Sequence, residues 1–413
     1  MAEDKQITEL IKKGAEKYSD AMVEFRRDLH AHPELSNEER RTAERIAEEL
    51  GKLDGIEVIR GLAGGTGVAG ILHGTKERNT DVAEDKVVLL RADIDALPIE
   101  EKTGLPFSSC TPGVMHACGH DGHASWLLGS AMILSELRDR FAGTVKFVFQ
   151  PAEEGGGGGK RMAEESRILE NPKVDAVFAA HAWPEIDAGE LHIAARSAFG
   201  FPGWFSIKVT GKSGHGSWPH QCVDPIAVAN QIYGALQQIV SRRLDETAAR
   251  VLSVCTIHSG PQDKSNIIPD CCTMTGTIRS DRREEMEKMK KMIREVSETI
   301  AAANGATAEV SADYTEAVIN TPEAVTFCEA EAVKILGREN VKIDNNPHLG
   351  GEDFAEYITR VPGAYVFAGI ATDETRGKFG LHSDNLILEE SVLPKVAAVF
   401  AQFAVGYLEK GRF

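Results

Sequence analysis

The chain has 413 residues, 42% hydrophobic and 26% charged, a globular composition long enough for two or three domains. Its 63 acidic and 46 basic side chains leave a formal charge of −17, which argues against nucleic acid or an anionic membrane as a general partner, since both need a basic footprint. Seven irregularly spaced cysteines read as reduced thiols, and the start MAEDKQITELIKKG has no apolar leader, so a cytoplasmic location is expected.

The first 50 residues set apolar among charged positions at helical spacing, as in ITELIKKGAEKYSDAMVEF and ERRTAERIAEEL. GIEVI, GVAGILHG and KVVLLRADID predict strands, and HASWLLGSAMILSEL predicts a buried helix opening right after a histidine-rich loop. TVKFVFQ, AVFAAHAW and GELHIA predict further strands, separated by a glycine run and a helical stretch around 160–170. This alternation predicts an α/β domain with a central sheet. Then the rhythm changes. WFSIKVTG, RVLSVCTIHSG, CTMTGTIRS and ATAEVSADY predict strands, with helices at DPIAVANQIYGALQQIVSRRL and RREEMEKMKKMIREVSETIAAANG. The order β-α-β-β-α-β is that of a small split-βαβ sandwich, complete in itself. Residues 200–312 are therefore expected to be inserted into a first domain made of 1–199 and 313–413. AYVFAGI predicts one more strand of that domain and ESVLPKVAAVFAQFAVGYLEK its closing helix, whose run VAAVFAQFAVGYL carries a Gln and is too short to span a membrane.

Two motifs mislead. GTGVAG (65–70) has the spacing of a dinucleotide loop but runs into a strand instead of a helix, and GGGGGK (155–160) is followed by Arg161 where a phosphate loop needs Ser or Thr. The loop MHACGHDGH is different. Cys and His are ligands for zinc-like ions, and an i, i+2 spacing on an extended segment turns Cys118 and His120 to one side. His116 and His123 are expected to orient a ligand or support the following helix. FQPAEEGGGG ends a predicted strand with two carboxylates, Glu153 and Glu154, that can divide the roles of general base and metal ligand. A solvated acidic pair is the bland alternative, and it fits poorly beside glycines that allow close approach. His181, the RADID aspartates and His382 fall near other strand ends. Separately each is weak; together they predict a metal site assembled from distant segments. A thiol nucleophile at Cys118 is a competing chemistry.

These stretches, with RRDLHAHPELSNEE, RADIDALPIEEKTGLPF, GKSGHGSWPH, NIIPD, GTIRS, GGEDFAEY and LHS, resemble the M20 family of metallo-aminoacylases and carboxypeptidases. Specifically, they resemble its amidohydrolase branch, which includes hippurate hydrolases, N-acyl-amino-acid deacylases and auxin-conjugate hydrolases. The resemblance implies a catalytic domain with a mixed sheet and an inserted ferredoxin-like lid. It implies two divalent ions, zinc foremost with manganese, cobalt or nickel able to serve, held by Cys118, His120, Glu154, His181 and His382. Cys118 would bridge them, Asp95 would orient the site and Glu153 would be the catalytic carboxylate. In the inserted domain His215 would meet the substrate carbonyl, and Asn266 and Arg279 its carboxylate. Asp353 would buttress the fold. The implied substrate is an N-acyl amino acid and the implied assembly a homodimer, with a dipeptidase or carboxypeptidase as the alternative activity. Asp384 stands where the branch often has proline.

Overall fold

Strands whose sequences are apolar throughout have no solvent face, and the larger sheet is built around them. The computed structural model describes residues 2–77, 85–261 and 263–413. The sheet has eight strands: β1 (Ile56–Leu62), β2 (Gly67–His73), β3 (Val87–Asp93), β4 (Thr144–Gln150), β5 (Ala176–Asp187), β6 (Leu191–Ala194), β7 (Val341–Asp344) and β8 (Gly363–Ala371). Their order is β1-β2-β4-β3-β5-β8-β6-β7, and β4, β3, β5 and β8 run parallel in the middle. Every residue of β3, β4 and β8 is buried. The antiparallel pairs β1–β2, β2–β4 and β6–β8 make the sheet mixed, as expected.

The helix His120–Glu136 is apolar all round and buried from His120 to Ser135, as a core helix must be. It packs on Ser19–Ala31 and on Leu393–Lys410, which in turn meets Ala2–Lys17 and Pro322–Leu336. Phe178 of β5 stacks on Phe403 of the closing helix with ring centroids 4.3 Å apart. Each such fully buried ring contributes about 1.5–3 kcal/mol. Glu390–Lys410 turns out long and apolar enough by composition to cross a membrane, contrary to the expectation from its apolar run; 83% of its apolar window is buried within the protein, which accounts for its hydropathy. The helix Pro322–Leu336 and strand β7 were not marked by any sequence pattern noted above.

The chain divides into two compact units, Met1–Ala198 with Val318–Asn346 and Glu352–Phe413, and Phe199–Ala317 with Pro347–Gly351. The second unit holds strands Phe201–Thr210, Arg250–Ser259, Cys271–Ser280 and Thr307–Tyr314, with helices Pro225–Arg242 and Arg283–Ala303 between them in β-α-β-β-α-β order. Cys271–Ser280 lies between Arg250–Ser259 and Phe201–Thr210, Thr307–Tyr314 flanks the latter, and all pairings are antiparallel, the ferredoxin-like arrangement. Phe201–Thr210 alternates buried and open positions, so one face takes the helices and the other does not. The segment Pro347–Gly351 joins this unit from far along the chain, with Gly200 N–H bonding the His348 carbonyl at 2.8 Å.

Candidate metal centre

Three adjacent parallel strands, β4, β3 and β5, send their chains to one edge of the sheet, where sites in α/β folds gather. β3 ends at Asp93, with Asp95 two residues on; after β4 come Glu153 and Glu154; β5 carries His181 two residues beyond the last position where it pairs with β3. His181 does not end its strand, which continues to Asp187.

The loop MHACGHDGH does not lie extended. Cys118 sits in a turn, Gly119 is left-handed (φ 83°), and His120 is already the first residue of the buried helix. The expected pairing survives with different geometry: the ligand-type atoms of Cys118, His120 and His181 lie within 4.8 Å of one another. Cys118 Sγ is 3.4 Å from His181 Nε2. A second group, Cys118, Glu154 and His382, meets the same limit and shares the cysteine. His382 Nε2 is 3.0 Å from Glu154 Oε1, and the His382 N–H bonds the Ala117 carbonyl at 2.8 Å, tying the late segment to the loop. Burial pushes the Cys118 thiol well up, which disfavours a free thiolate nucleophile.

Buried carboxylates fix the histidine rings. Asp95 Oδ1 stands 3.3 Å from His120 Nδ1, while its Oδ2 accepts the Ser36 hydroxyl at 2.6 Å and the Glu154 N–H at 3.0 Å. His120 Nε2 is thereby left facing the cluster. His123 is fully engaged in support: Nδ1 lies 2.5 Å from Asp93 Oδ1, and Nε2 accepts the Ala182 N–H at 2.8 Å, beside His181. This holds the ring in one neutral tautomer. Burial pulls its pKa down to about 3. Asp121 accepts Arg26 Nε at 2.7 Å and lies 2.8 Å from His30 Nδ1, anchoring the helix start to Ser19–Ala31. His116 is buried with both ring nitrogens unpartnered.

The residues present fit a divalent cation. His120 Nε2 is buried and lacks a hydrogen-bond partner, and Glu154 Oε1, which meets only His382, stands 4.0 Å from it, too far to bond it. Leaving the imidazole nitrogen unpaired costs about 1–3 kcal/mol, a cost that coordination removes. A thiol, imidazoles and a carboxylate are the donors zinc-class ions take.

Glu153 is partly exposed and its carboxylate falls within 4.8 Å of two groups at once, His120 with Glu154 and Glu352 with Asp353. Burial, then the charges of Glu352, Asp353 and Glu154, push its carboxyl well up. Behind it the RADID and GGEDF segments meet in a buried charge cluster. Arg91, 1% exposed, bonds Asp93 Oδ2 at 2.6 Å, Glu352 Oε1 at 3.0 Å and Asp353 Oδ1 at 2.9 Å. Asp353 also accepts Gln150 Nε2 and the Gly159 N–H, each at 2.7 Å, the buttress role expected of it. The glycine run admits the protein's own chain: a Cβ on Gly158 would stand 1.7 Å from the Pro151 carbonyl oxygen, and one on Gly156 2.4 Å from Ala152 Cβ.

Asp384 pairs with Lys102 at 2.6 Å near the surface. In the second unit, His215 pairs with Ile267 in a short ladder and the Gly216 N–H bonds the Asn266 carbonyl at 2.8 Å, so His215 and Asn266 are neighbours. Both are exposed. Arg279 donates to the carbonyls of Gly203 (2.7 Å) and Ile278 (3.0 Å), in place of the surface ion pair that an acidic chain makes easy.

The sequence matches the description Peptidase family M20/M25/M40 over residues 89–405. The chain belongs to this family. Thermostable carboxypeptidase 1 of Saccharolobus solfataricus is 38% identical over 98% of this chain and 100% of its own. N-acetylcysteine deacetylase of Bacillus subtilis is 37% identical over 94% of this chain and 97% of its own. Among solved structures, a Bacillus subtilis dinuclear metal-binding peptidase of family M20 superposes with a TM-score of 0.80 at 33% identity, covering 95% of this chain and 99% of that one. This M20 chain is a metal-dependent amidohydrolase with the α/β fold of its family.

Proposed function

We propose that the enzyme hydrolyses the amide bond of N-acyl amino acids, releasing a carboxylic acid and a free amino acid. The observation that carries this is the division of the PAEE pair: Glu154 joins Cys118 and His382, while Glu153 stands partly open beside the same cluster without an ion pair. A pair of divalent ions held by Cys118, His120, Glu154, His181 and His382, with Cys118 common to both groups, would supply Lewis acidity to the amide carbonyl and to an attacking water. Zinc suits these donors best, with manganese, cobalt or nickel able to replace it. A Glu153 carboxylate oxygen takes the water's proton and returns it to the departing amine nitrogen. Asp95 holds the His120 ring through Nδ1.

The second unit is assigned the substrate's other end by its motifs: Arg279 and Asn266 for the α-carboxylate, which a guanidinium grips as a fork, and His215 for the carbonyl oxygen. A lid and dimer role for that unit is supported by its surface, since all six exposed large hydrophobic side chains among the described residues, Trp204, Trp218, Ile226, Tyr233, Ile257 and Ile267, belong to it. The cytoplasm is the proposed location, given seven cysteines all unpaired in the fold.

Carboxypeptidase action is the second reading, favoured by the name of the Saccharolobus relative. Initial rates on acetylated and benzoylated amino acids against dipeptides separate the two. Glu153→Gln tests the mechanism: turnover is expected to vanish with bound metal unchanged, and wild-type kcat would refute the role given to Glu153.

A further inference from the structure

Two stretches with no part in this chemistry meet behind the carboxylate pair: SNEE (36–39) and the GTG that mimics a dinucleotide loop. Glu39 is wholly buried (0% exposed). Its Oε1 accepts the N–H of Asn37 at 2.9 Å and of Ala152 at 2.8 Å, and its Oε2 accepts the Thr66 hydroxyl at 2.8 Å. Ala152 directly precedes Glu153 and is left-handed (φ 54°), a conformation uncommon outside glycine. Its carbonyl receives the N–H groups of Gly156 (3.2 Å) and Gly158 (3.1 Å), so the whole turn hangs on this one residue's conformation. On the other side of Glu153, the Glu154 N–H bonds Asp95, which also receives Ser36. The backbone on both flanks of Glu153 is thus pinned by a carboxylate, and residues 36 and 39 reach both pins.

We propose that Glu39 is a positioning residue for Glu153, acting through the Ala152 backbone, with Thr66 holding the second oxygen of Glu39 in place. The proposal rests on the proton-carrying role given to Glu153 above. A buried carboxylate with three donors aimed at it is an acceptor that cannot be replaced by a void: an alanine there would leave the Ala152 N–H buried and unbonded, with only the bonds from Gly156 and Gly158 to its carbonyl holding the strained residue. Misplacement of a reacting group by an ångström costs catalysis without changing which atoms are present.

The test uses the full-length enzyme reconstituted with zinc, an N-acetyl amino acid as substrate, and three variants, Glu39→Ala, Glu39→Gln and Thr66→Val. Glu39→Ala is expected to lower kcat by ~10-fold or more while KM stays within ~2-fold and bound zinc is unchanged. Glu39→Gln restores most of kcat, because its amide oxygen can accept from Asn37 and Ala152 while its nitrogen donates to the Thr66 hydroxyl. A merely structural role would not give this split or this rescue. The proposal is overturned if Glu39→Ala keeps kcat within ~2-fold of wild type, or if Glu39→Gln is as slow as Glu39→Ala. Should Glu39→Ala fail to fold, Thr66→Val decides: a lowered kcat at constant KM supports the proposal and an unaltered kcat overturns it. Failure of the underlying reading looks different, since a Glu153→Gln enzyme that still turns over removes Glu153 from the chemistry whatever the Glu39 variants do.

Discussion

Replacing Arg91 by methionine would take one cation from among three carboxylates, and the consequences can be worked from the contacts. Arg91 is 1% exposed and bonded to Asp93, Glu352, Asp353 and Gln150, with N–O distances between 2.6 and 3.0 Å. Methionine fills similar length with apolar atoms, so the loss is electrostatic and not a cavity. Removing one partner of a buried ion pair costs about 3–5 kcal/mol because the other charge stays buried. Three partners do not triple this figure, since a stranded carboxylate can take up a proton instead. For a unit of this size the penalty converts at about 2 °C per kcal/mol, giving a Tm about 6–10 °C lower. The penalty should also depend on pH. Burial raises the Asp353 carboxyl, Arg91 pulls it back, and Glu352 adds to the rise. Without Arg91 the folded chain keeps a proton on Asp353 that the unfolded chain releases, so stability falls as pH rises. The Tm gap between wild type and variant should therefore widen from about pH 6 to about pH 8. Calorimetry on metal-reconstituted protein at both pH values measures it. A loss below about 2 °C, or a gap that narrows with pH, would refute the assignment of Arg91 as the counter-charge. Adding Asp353→Asn to the variant should flatten the pH dependence.

Two further outcomes follow from the same structure. Gly158→Ala should abolish activity while Gly155→Ala keeps it, because a Cβ at 158 meets the Pro151 carbonyl oxygen at 1.7 Å and one at 155 meets nothing within 4 Å; equal rates for the two would show that the PAEE turn can relax. Burial alone would raise Glu101, but hydrogen bonds from His30, the Ser109 N–H and Thr103 outweigh it and bring the carboxyl down from 4.5 to about 2. A depressed carboxyl stabilises the fold above its unfolded pKa and loses that effect as pH falls through the folded one, so the Tm advantage of wild type over Glu101→Gln should shrink below about pH 4.5; an advantage that holds steady down to acid unfolding would contradict this.

The order of the elements and the ferredoxin-like insertion were legible because strand and helix periods differ and each strand there is bounded by turn residues. Cys118 and His120 were legible for a different reason: cysteine and histidine are scarce, and a loop dense in them stands out, whereas the full set with Glu154, His181 and His382 came with the M20 resemblance. The geometry joining Cys118 to His120 was not, since i, i+2 on a strand and a left-handed Gly119 ahead of a helix both bring the two side chains together. Arg91 carried a signal that went unused. A charge in the middle of VVLLRAD, on a strand buried on both faces, has no solvent to reach and must meet buried counter-charges.

Glu39 carried none. Its partners lie 27 and 113 residues away, at Thr66 and Ala152, and one acid among many looks like a helix cap. It does sit at the N-cap position of Arg40–Gly51, yet its side chain makes no capping bond there. Donor chemistry therefore identifies which atoms can meet a metal, while the groups that aim those atoms use common residues whose meaning arises only from long-range contact. Ala152 shows why the distinction matters for mechanism. Nothing in the side chain of an alanine suggests function, but its strained backbone and single N–H connect a buried carboxylate to the residue assigned the proton transfer, so variation at 39 or 66 can alter turnover while every metal-ligand candidate stays in place.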